Sequence, residues 1–416
     1  MKIANQKIVS NSIWLLVLQV FNMIVPIVTL PYITRVLEPA GYGMFSLALN
    51  WITYFQVFVE YGFGYSGARR ATESNGKKLQ QLYSAIITAR IILLLIVFFI
   101  LNLLLFARLI SVNQFICMII LFFMIIGTAF QLTWLFQGMQ DMKYITVVNA
   151  GARLLSTVLI FLFVKNENHL YLYCFLYSST FIFSSWLGLI IAKKRYGLRV
   201  SLVTIGKAIV ELEEGWSFFI SQVMSKVLSG MGITVLGIVA TIESVGLYSA
   251  IYKIPYVVVI LFGSVSQAIY PNASLEFSKS QSHGLEYVKG IMKLVVPVFI
   301  LLTMVIIGMR GSLVRLVLGE MYVEYSNLII PLCIWMLFSI INNFLGIQIL
   351  VGSGRQKEYS RVFTTCAIVS ILLNWGMGMW FNLYGIAWAT CIAEGCLFCG
   401  LIRKINYCFS ISRKGE

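Results

Sequence analysis

Charge is what this sequence has least of. Of its 416 residues only 11% are charged, while 59% are hydrophobic; an ordinary soluble domain carries roughly 25% charged residues. So few ionisable groups cannot cover a water-soluble protein of this size, and the other solvent available is lipid. Aspartate is nearly missing too. Asp141 is the sole Asp, and His169 and His283 are the only histidines. No Asp-rich metal or sugar-nucleotide motif can be built from that set, and neither histidine has a carboxylate at metal-ligand spacing. No Gly-x-x-x-x-Gly-Lys-Ser/Thr loop occurs, so no ATP site is readable. Catalytic constellations are therefore excluded, and cofactors are expected to be none; any transport would use a proton or sodium gradient or run downhill.

Eight cysteines are present, but Cys117, Cys174, Cys333, Cys366, Cys391, Cys396 and Cys399 fall inside or beside apolar runs, and Cys408 lies in the basic tail. Cys396-x-x-Cys399 has redox or metal spacing without a second ligand pair nearby. We read them as small apolar residues of lipid-embedded helices.

Long apolar runs are what the chain does have. A spanning helix needs about 20 apolar residues, and only helices or closed barrels satisfy every backbone group in lipid. The runs here are continuous rather than alternating, which excludes the barrel. The fold class is therefore all-α integral membrane, with spans near 12–33, 43–66, 85–107, 113–135, 144–164 and 170–192. A more polar stretch follows, then spans near 216–240, 246–270, 289–309, 325–350, 361–381 and 383–402. The first run is longer than a signal-peptide core and is read as a retained span.

Charge also orients the spans. Arg35, Arg108, Lys165, Arg310 and Arg315 fall in the odd-numbered loops, and Arg90, Arg153, Lys226, Lys253 and Lys293 fall within helices. The other 21 of the 31 cations lie in the N-terminus, the even-numbered loops and the C-terminal tail. That bias places both termini in the cytoplasm. The net charge of +15 follows from this topology and from anionic lipid, so no nucleic-acid partner is expected.

The halves echo one another. Gly43-Met44-Phe45-Ser46 is matched by Gly246-Leu247-Tyr248-Ser249, Lys143-Tyr144 by Lys357-Glu358-Tyr359, and Lys193-Lys194-Arg195-Tyr196 by Arg403-Lys404-Ile405-Asn406-Tyr407. We expect two six-helix bundles in parallel repeat around a central cleft: residues 1–195, a cytoplasmic connector at 196–214, and 215–416. Such repeats place a substrate site between halves, with access alternating by rocking.

Polar residues inside spans are costly and mark a bundle interior or watery cavity. Ser12, Gln19, Asn22 and Thr29 make one helical stripe, and Thr53, Gln56 and Glu60 another. Asn149 and Arg153 stand four apart, followed by Ser156 and Thr157. Ser217, Ser221, Gln222, Ser225, Lys226 and Ser229 form a broad polar face, and Thr390 and Glu394 share a helix. Ser and Thr alone more often glue helices together than line a channel. Arg153, Lys226 and Glu394 sit too deep for easy snorkelling and need a partner or water. Arg90, Lys293 and Lys253 lie near span ends, where snorkelling is expected.

The expected substrate-cleft cations are Arg35, Arg153 and Lys226. The expected cleft lining is Gln19, Asn22, Gln56, Asn149, Ser221, Gln222 and Ser225. Such a cleft attracts phosphate, whose oxygens match the planar guanidinium fork. Glu60, Glu394 and Arg90 are candidate coupling or ion-pair residues, Glu60 with Arg90 as a static pair.

Several phrases then converge on one family. Leu30-Pro31-Tyr32-Ile33-Thr34-Arg35 with Gly41-Tyr42-Gly43, Val59-Glu60-Tyr61-Gly62-Phe63, and Trp134-Leu135-Phe136-Gln137-Gly138 resemble the Wzx-type O-antigen flippases. These belong to the multidrug/oligosaccharidyl-lipid/polysaccharide exporter superfamily. Gln267-Ala268-Ile269-Tyr270-Pro271, Gly346-Ile347-Gln348 and Ala393-Glu394-Gly395-Cys396-Leu397 extend the likeness into the second half. The resemblance implies a non-enzymatic flippase in a bacterial inner membrane. Its cargo would be undecaprenyl-diphosphate-linked oligosaccharide, moved from the cytoplasmic to the periplasmic leaflet beside polymerase and chain-length machinery. Arg35, Glu60, Arg153 and Glu394 sit in matching segments; Lys226 does not. A drug/cation antiporter of the same superfamily, an O-antigen polymerase and a scaffold of the assembly complex are the competing readings.

Overall fold

The computed structural model describes residues 2–414; the side chains of Ser12 and Ser217, both named above, lie outside the described residues. Among the described residues there are helices and turns and no strand. Thirteen α-helices follow one another: α1 (Lys2–Glu60), α2 (Phe63–Thr72), α3 (Lys77–Phe106), α4 (Val112–Phe130), α5 (Thr133–Gly138), α6 (Met142–Phe163), α7 (Leu170–Tyr196), α8 (Ile205–Val239), α9 (Ile242–Lys279), α10 (Gln281–Gly308), α11 (Arg310–Val317), α12 (Ile329–Asn343) and α13 (Gln356–Lys414). A 3₁₀ stretch, Glu320–Leu328, precedes α12, and a π-helical stretch, Phe344–Val351, extends it.

Among the described residues ten segments are long and apolar enough to cross a membrane. Two of them, Val17–Thr72 and Gln356–Phe409, have 56 and 54 residues, roughly 80 Å of helix against about 30 Å of hydrocarbon. Each must double back. The backbone does so at Glu38 (φ 56°, ψ 172°), directly before Pro39, and at Asn382 (φ 51°, ψ −132°). With these two turns the ten segments become twelve crossings, six before the connector and six after it, as the apolar runs predict.

The chain divides into two compact units, Met1–Gly230 and Met231–Glu416, and the division falls within α8. In the first unit α1, α4, α6 and α7 pack on one another. Gly127 on α4 lets α7 approach closely, since a Cβ there would lie 2.4 Å from the backbone of Phe181. Cross-helix hydrogen bonds run from hydroxyls to carbonyls: Thr146 Oγ1 to Trp14 O at 2.7 Å, Ser156 Oγ to Leu176 O at 2.6 Å, and Tyr32 OH to Val164 O at 2.6 Å. These serines and threonines glue helices, as expected of them. A second apolar cluster gathers Phe63, Leu79, Tyr83, Ile86, Trp134 and Ala208 from α2, α3, α5 and α8.

Two sequence expectations need revision here. The second span does not run through to 66. It stops at Glu60, where Tyr61 (φ 49°) and Gly62 (φ 75°) turn the chain into α2. Gly62 is required twice over, because a Cβ would also lie 2.6 Å from that of Phe218. Nor is the fourth span continuous. Gln131 is extended (ψ 130°) and separates α4 from α5, a break inside an apolar run that composition does not announce.

In the second unit α9, α10, α12 and α13 enclose Phe262, Phe277, Trp335, Met336, Ile340 and Phe344. The two arms of α13 are tied near their far ends by Lys404 Nζ, 2.5 Å from Glu358 Oε2.

Candidate functional site

A cavity of about 210 Å³ opens within the first unit, lined by Leu18 and Asn22 of α1, Gln131 and Thr133 at the α4–α5 break, Ile145, Asn149 and Arg153 of α6, and Thr180, Phe181 and Ser184 of α7. Its hydrogen-bonded polar groups fall into two sets, Arg153 with Asn22 and Asn149 with Gln131 and Ser184. Arg153 Nη1 donates to Asn22 Oδ1 at 2.6 Å. Asn149 Oδ1 accepts from Gln131 Nε2 at 3.0 Å and from Ser184 Oγ at 2.7 Å, while its Nδ2 donates to Ile145 O at 2.9 Å. All of the amide's hydrogen-bonding groups but one N–H are thus occupied, which fixes its orientation.

No carboxylate lines the cavity, and among the described residues none lies within 4 Å of Arg153. Its charge meets only neutral dipoles. Such a site favours an anion, which would supply the missing counter-charge.

The break in the fourth span is what delivers Gln131 to this wall. Ending α4 frees carbonyls that would otherwise bond within the helix, and Arg90 takes two of them. Its Nη1 donates to Gln131 O at 2.7 Å and to Thr128 O at 3.3 Å, and the guanidinium stands 5.5 Å from the Phe63 ring centroid. Arg90 is buried, at 3% exposure. It does not snorkel. The reason is that helix breaks offer carbonyl acceptors inside the bundle, so the cation has no need to reach the headgroups. Glu60 is not within 4 Å of Arg90 among the described residues but lies near enough to interact with it electrostatically, so the hydrogen-bond partners of the guanidinium are backbone carbonyls while Glu60 adds a favourable charge. Gln56 serves the same wall from outside, its Nε2 donating to Thr128 Oγ1 at 3.0 Å.

The structure thus brings Asn22, Asn149 and Arg153 together and leaves other expected residues elsewhere. Gln19 is on α1 outside the lining, and Arg35 is exposed three residues before the Glu38 turn. Ser221, Ser225 and Lys226 are exposed on α8 with Gln222 half-exposed, and none of them lines this cavity. Glu394 lies in the second unit, where Asn342 Nδ2 donates to its Oε1 at 3.1 Å and to its carbonyl at 2.9 Å. No cation lies within 4 Å of it among the described residues. Close in sequence to Asn342, Ser266 Oγ donates to Asn343 Oδ1 at 2.6 Å, and Gln348 Nε2 donates to Ser266 O and Oγ at 2.9 Å each. Gln348 lies on the π-helical stretch, a distortion that recurs at functional sites.

Sequence reasoning missed Gln131, Ser184, Asn342 and Ser266. Gln131 and Asn342 are amides within apolar runs, the same signal that marked Asn149. Ser266 and Ser184 carry no such mark, because isolated serines are common in spans. Among the described residues no group of three or more His, Cys, Asp or Glu side chains could hold a metal, and the eight cysteines are free thiols.

Comparison with known proteins places these features in a family. Residues 8–275 match the family described as "Polysaccharide biosynthesis protein". Two relatives carry the name "Putative O-antigen transporter". The one from Escherichia coli (strain K12) is 26% identical over 401 residues, covering 94% of this chain and 95% of that protein. The one from Shigella dysenteriae is 23% identical over 407 residues, covering 95% and 99%. Among solved structures, the lipid II flippase MurJ in an inward closed conformation superposes with a TM-score of 0.73 at 14% identity, over 96% of this chain and 87% of that one. An inward-facing multidrug resistance MATE family transporter of the MOP superfamily gives 0.67 at 11% identity, over 95% and 100%. At such identities the structural likeness speaks for the fold. The family match covers more than half of the chain, and with twelve apolar crossings the conclusion is direct: this chain belongs to the polysaccharide biosynthesis protein family and is a multi-pass membrane protein with the fold of the multidrug/oligosaccharidyl-lipid/polysaccharide superfamily.

Proposed function

We propose that this protein flips undecaprenyl-diphosphate-linked oligosaccharide, an O-antigen or related repeat unit, from the cytoplasmic to the periplasmic leaflet of a bacterial inner membrane. The observation that carries the reading is Arg153, an uncompensated cation in a cavity otherwise lined by amides and hydroxyls. A lipid-linked sugar presents an anionic diphosphate, a polar carbohydrate and a long apolar tail. The guanidinium suits the first, the lining of Asn22, Gln131, Asn149 and Ser184 suits hydroxylated cargo, and the tail can stay in lipid. The cavity is of a size for a phosphate group or one sugar ring at a time, so it would hold part of the head group rather than all of it. The names of the two relatives, O-antigen transporters, and of the MurJ lipid II flippase support the same substrate class. No part of the reading requires a reaction at the cargo.

The test is deletion of the gene in its own host, with surface polysaccharide and undecaprenyl-linked intermediates both measured. Loss of surface polymer with intermediates accumulating on the cytoplasmic side is the expected result. Normal surface polymer, with no second flippase present, would overturn the assignment; altered drug resistance with normal polymer would favour the antiporter reading of the same fold.

A further inference from the structure

The connector between the halves is not a free loop. Three polar side chains on α3, spaced four apart, hold three alternate residues of it. Gln80 Nε2 donates to Arg199 O at 2.7 Å while Arg199 N donates back to Gln80 Oε1 at 3.0 Å. Ser84 Oγ and Ser201 Oγ are 2.8 Å apart, and Val203 N donates to Thr88 Oγ1 at 3.1 Å. The lengths agree. From Gln80 to Thr88 a helix rises about 12 Å, and from 199 to 203 an extended chain covers about 13 Å. Residues 199, 201 and 203 therefore face α3, and Val200 and Leu202 face away.

The outward face continues into α8. Ala208, Glu211 and Gly215 are turned inward and buried, and Arg70 and Arg69 engage Glu211 at 2.5 Å and Glu214 at 3.2 Å. On the other side Leu202, Ile205, Ile209 and Trp216 are 69%, 65%, 46% and 55% exposed. Ile205, Ile209 and Trp216 share one helical face, and the lane runs on to Ile220 and Met224, exposed apolar residues within the span read near 216–240. α8 has 35 residues, about 52 Å of helix against about 30 Å of hydrocarbon. Its first dozen residues thus lie beyond the span yet remain apolar on one side. Thr88, meanwhile, holds Val203 at the depth of the third span's first turn. Both facts describe an element lying in the membrane interface. Arg199 and Lys207 are exposed there with no carboxylate within 4 Å among the described residues, and Lys193 and Lys194 precede them.

We propose that residues 199–217 form a strap on the membrane surface. Its stripe of Leu202, Ile205, Ile209 and Trp216 is covered by lipid at the headgroup–acyl boundary, and its cations Arg199 and Lys207 engage anionic phospholipid headgroups. The occupant is lipid because the stripe is continuous with the exposed apolar lane of the α8 span. It is anionic lipid because Arg199 and Lys207 are exposed, away from the stripe, without an ion-pair partner among the described residues. Glu211 and Glu214 are held by Arg70 and Arg69, and Glu213 alone of the strap's carboxylates has no ion pair among the described residues.

The experiment uses the full-length protein in vesicles of phosphatidylethanolamine and phosphatidylglycerol, doped with phosphatidylglycerol or phosphatidylcholine bearing a diazirine high on one acyl chain. Adducts are mapped by mass spectrometry. The expected result is adducts on the stripe, several-fold more from the phosphatidylglycerol probe. Arg199→Gln and Lys207→Gln, both surface changes, should each lower that preference by up to about fivefold and leave labelling by the neutral probe unchanged. Equal labelling by the two probes would overturn the recognition of anionic lipid. A stripe labelled by a water-borne carbene reagent and not by lipid would overturn the membrane seat. A stripe that neither reagent reaches would show that protein covers it, and would overturn the proposal too.

Discussion

The Arg90 guanidinium donates to the carbonyl of Gln131 at 2.7 Å, and through that bond a buried cation on one helix holds open the break that gives the cavity one of its walls. Charge in lipid is usually accounted for by a carboxylate or by water. Here backbone carbonyls accept the hydrogen bonds and Glu60 acts on the charge from beyond ion-pair distance. The consequence is that Arg90 acts on the site through Gln131 and Asn149, without lining it.

Replacing Arg90 therefore should damage the fold before it damages transport. Arg90→Met leaves the Gln131 carbonyl without its side-chain donor, while Thr128 O keeps the Gln131 N–H, at a cost of about 1–3 kcal/mol for a buried group left unpaired. Arg90→Lys should lose most of the same amount, because an ammonium does not reproduce the planar fork. Thermal unfolding of the purified variants in detergent is the measurement; an unchanged midpoint for Arg90→Met would show that the capping contributes nothing.

Arg153 is the opposite case. Its charge is held by the amide of Asn22 and not by any ion pair, so Arg153→Ala should leave insertion and stability near wild type. Flipping of a lipid diphosphate should fall about 10- to 100-fold, the worth of a charge-assisted hydrogen bond of about 1.5–3 kcal/mol, with Arg153→Lys in between. Asn149→Ala should also slow flipping by freeing Gln131 and Ser184. Rates are compared in proteoliposomes at matched protein abundance, and wild-type rates in Arg153→Ala would remove the anion role.

We propose Glu394, held by Asn342 with no cation within 4 Å among the described residues, ahead of Glu60 as a coupling carboxyl. Vesicles with an imposed pH or sodium gradient should lose gradient-dependent uptake in Glu394→Gln and keep downhill movement. Glu60→Gln serves as the comparison. Full gradient dependence in both variants would show that neither residue couples.

At the tied ends of α13 a pH effect is expected. The Lys404 ammonium, hydrogen-bonded to Glu358, holds that carboxyl below the usual carboxylate range. The pair therefore contributes stability above the ordinary Glu value, about 4.3, and loses it as pH falls through the lowered native value. Wild type should be more stable than Glu358→Gln near neutrality, with the difference lost in acid as pH falls through the lowered native value. A difference independent of pH would refute the ion pair as its source.

Orientation follows from charge. Reporter fusions after Arg195 and at the C-terminus should report cytoplasm, and fusions after Glu167 and Glu320 periplasm. A periplasmic C-terminus would sink the twelve-crossing reading.

By itself the sequence determined the solvent, the crossings and their charge asymmetry, because hydrophobicity and length act residue by residue and do not depend on neighbours in space. It also marked Asn22, Asn149 and Arg153, since an amide or cation in an apolar run is costly wherever it ends up. What only the tertiary structure decided is which polar groups meet. Helical periodicity says that Asn149 and Arg153 share a face of α6, and it cannot say that this face meets Asn22 of α1 and Ser184 of α7. The break at Gln131 is likewise invisible in composition, because its stabilisation comes from Arg90, 41 residues earlier, and from Gln56 beyond that. The same holds for the connector, whose polar stretch reads as a loop until Gln80, Ser84 and Thr88 are seen to grip every second residue of it. Pairing across such separations is settled by packing, where each buried donor must find an acceptor, and one-dimensional patterns carry no record of the partner.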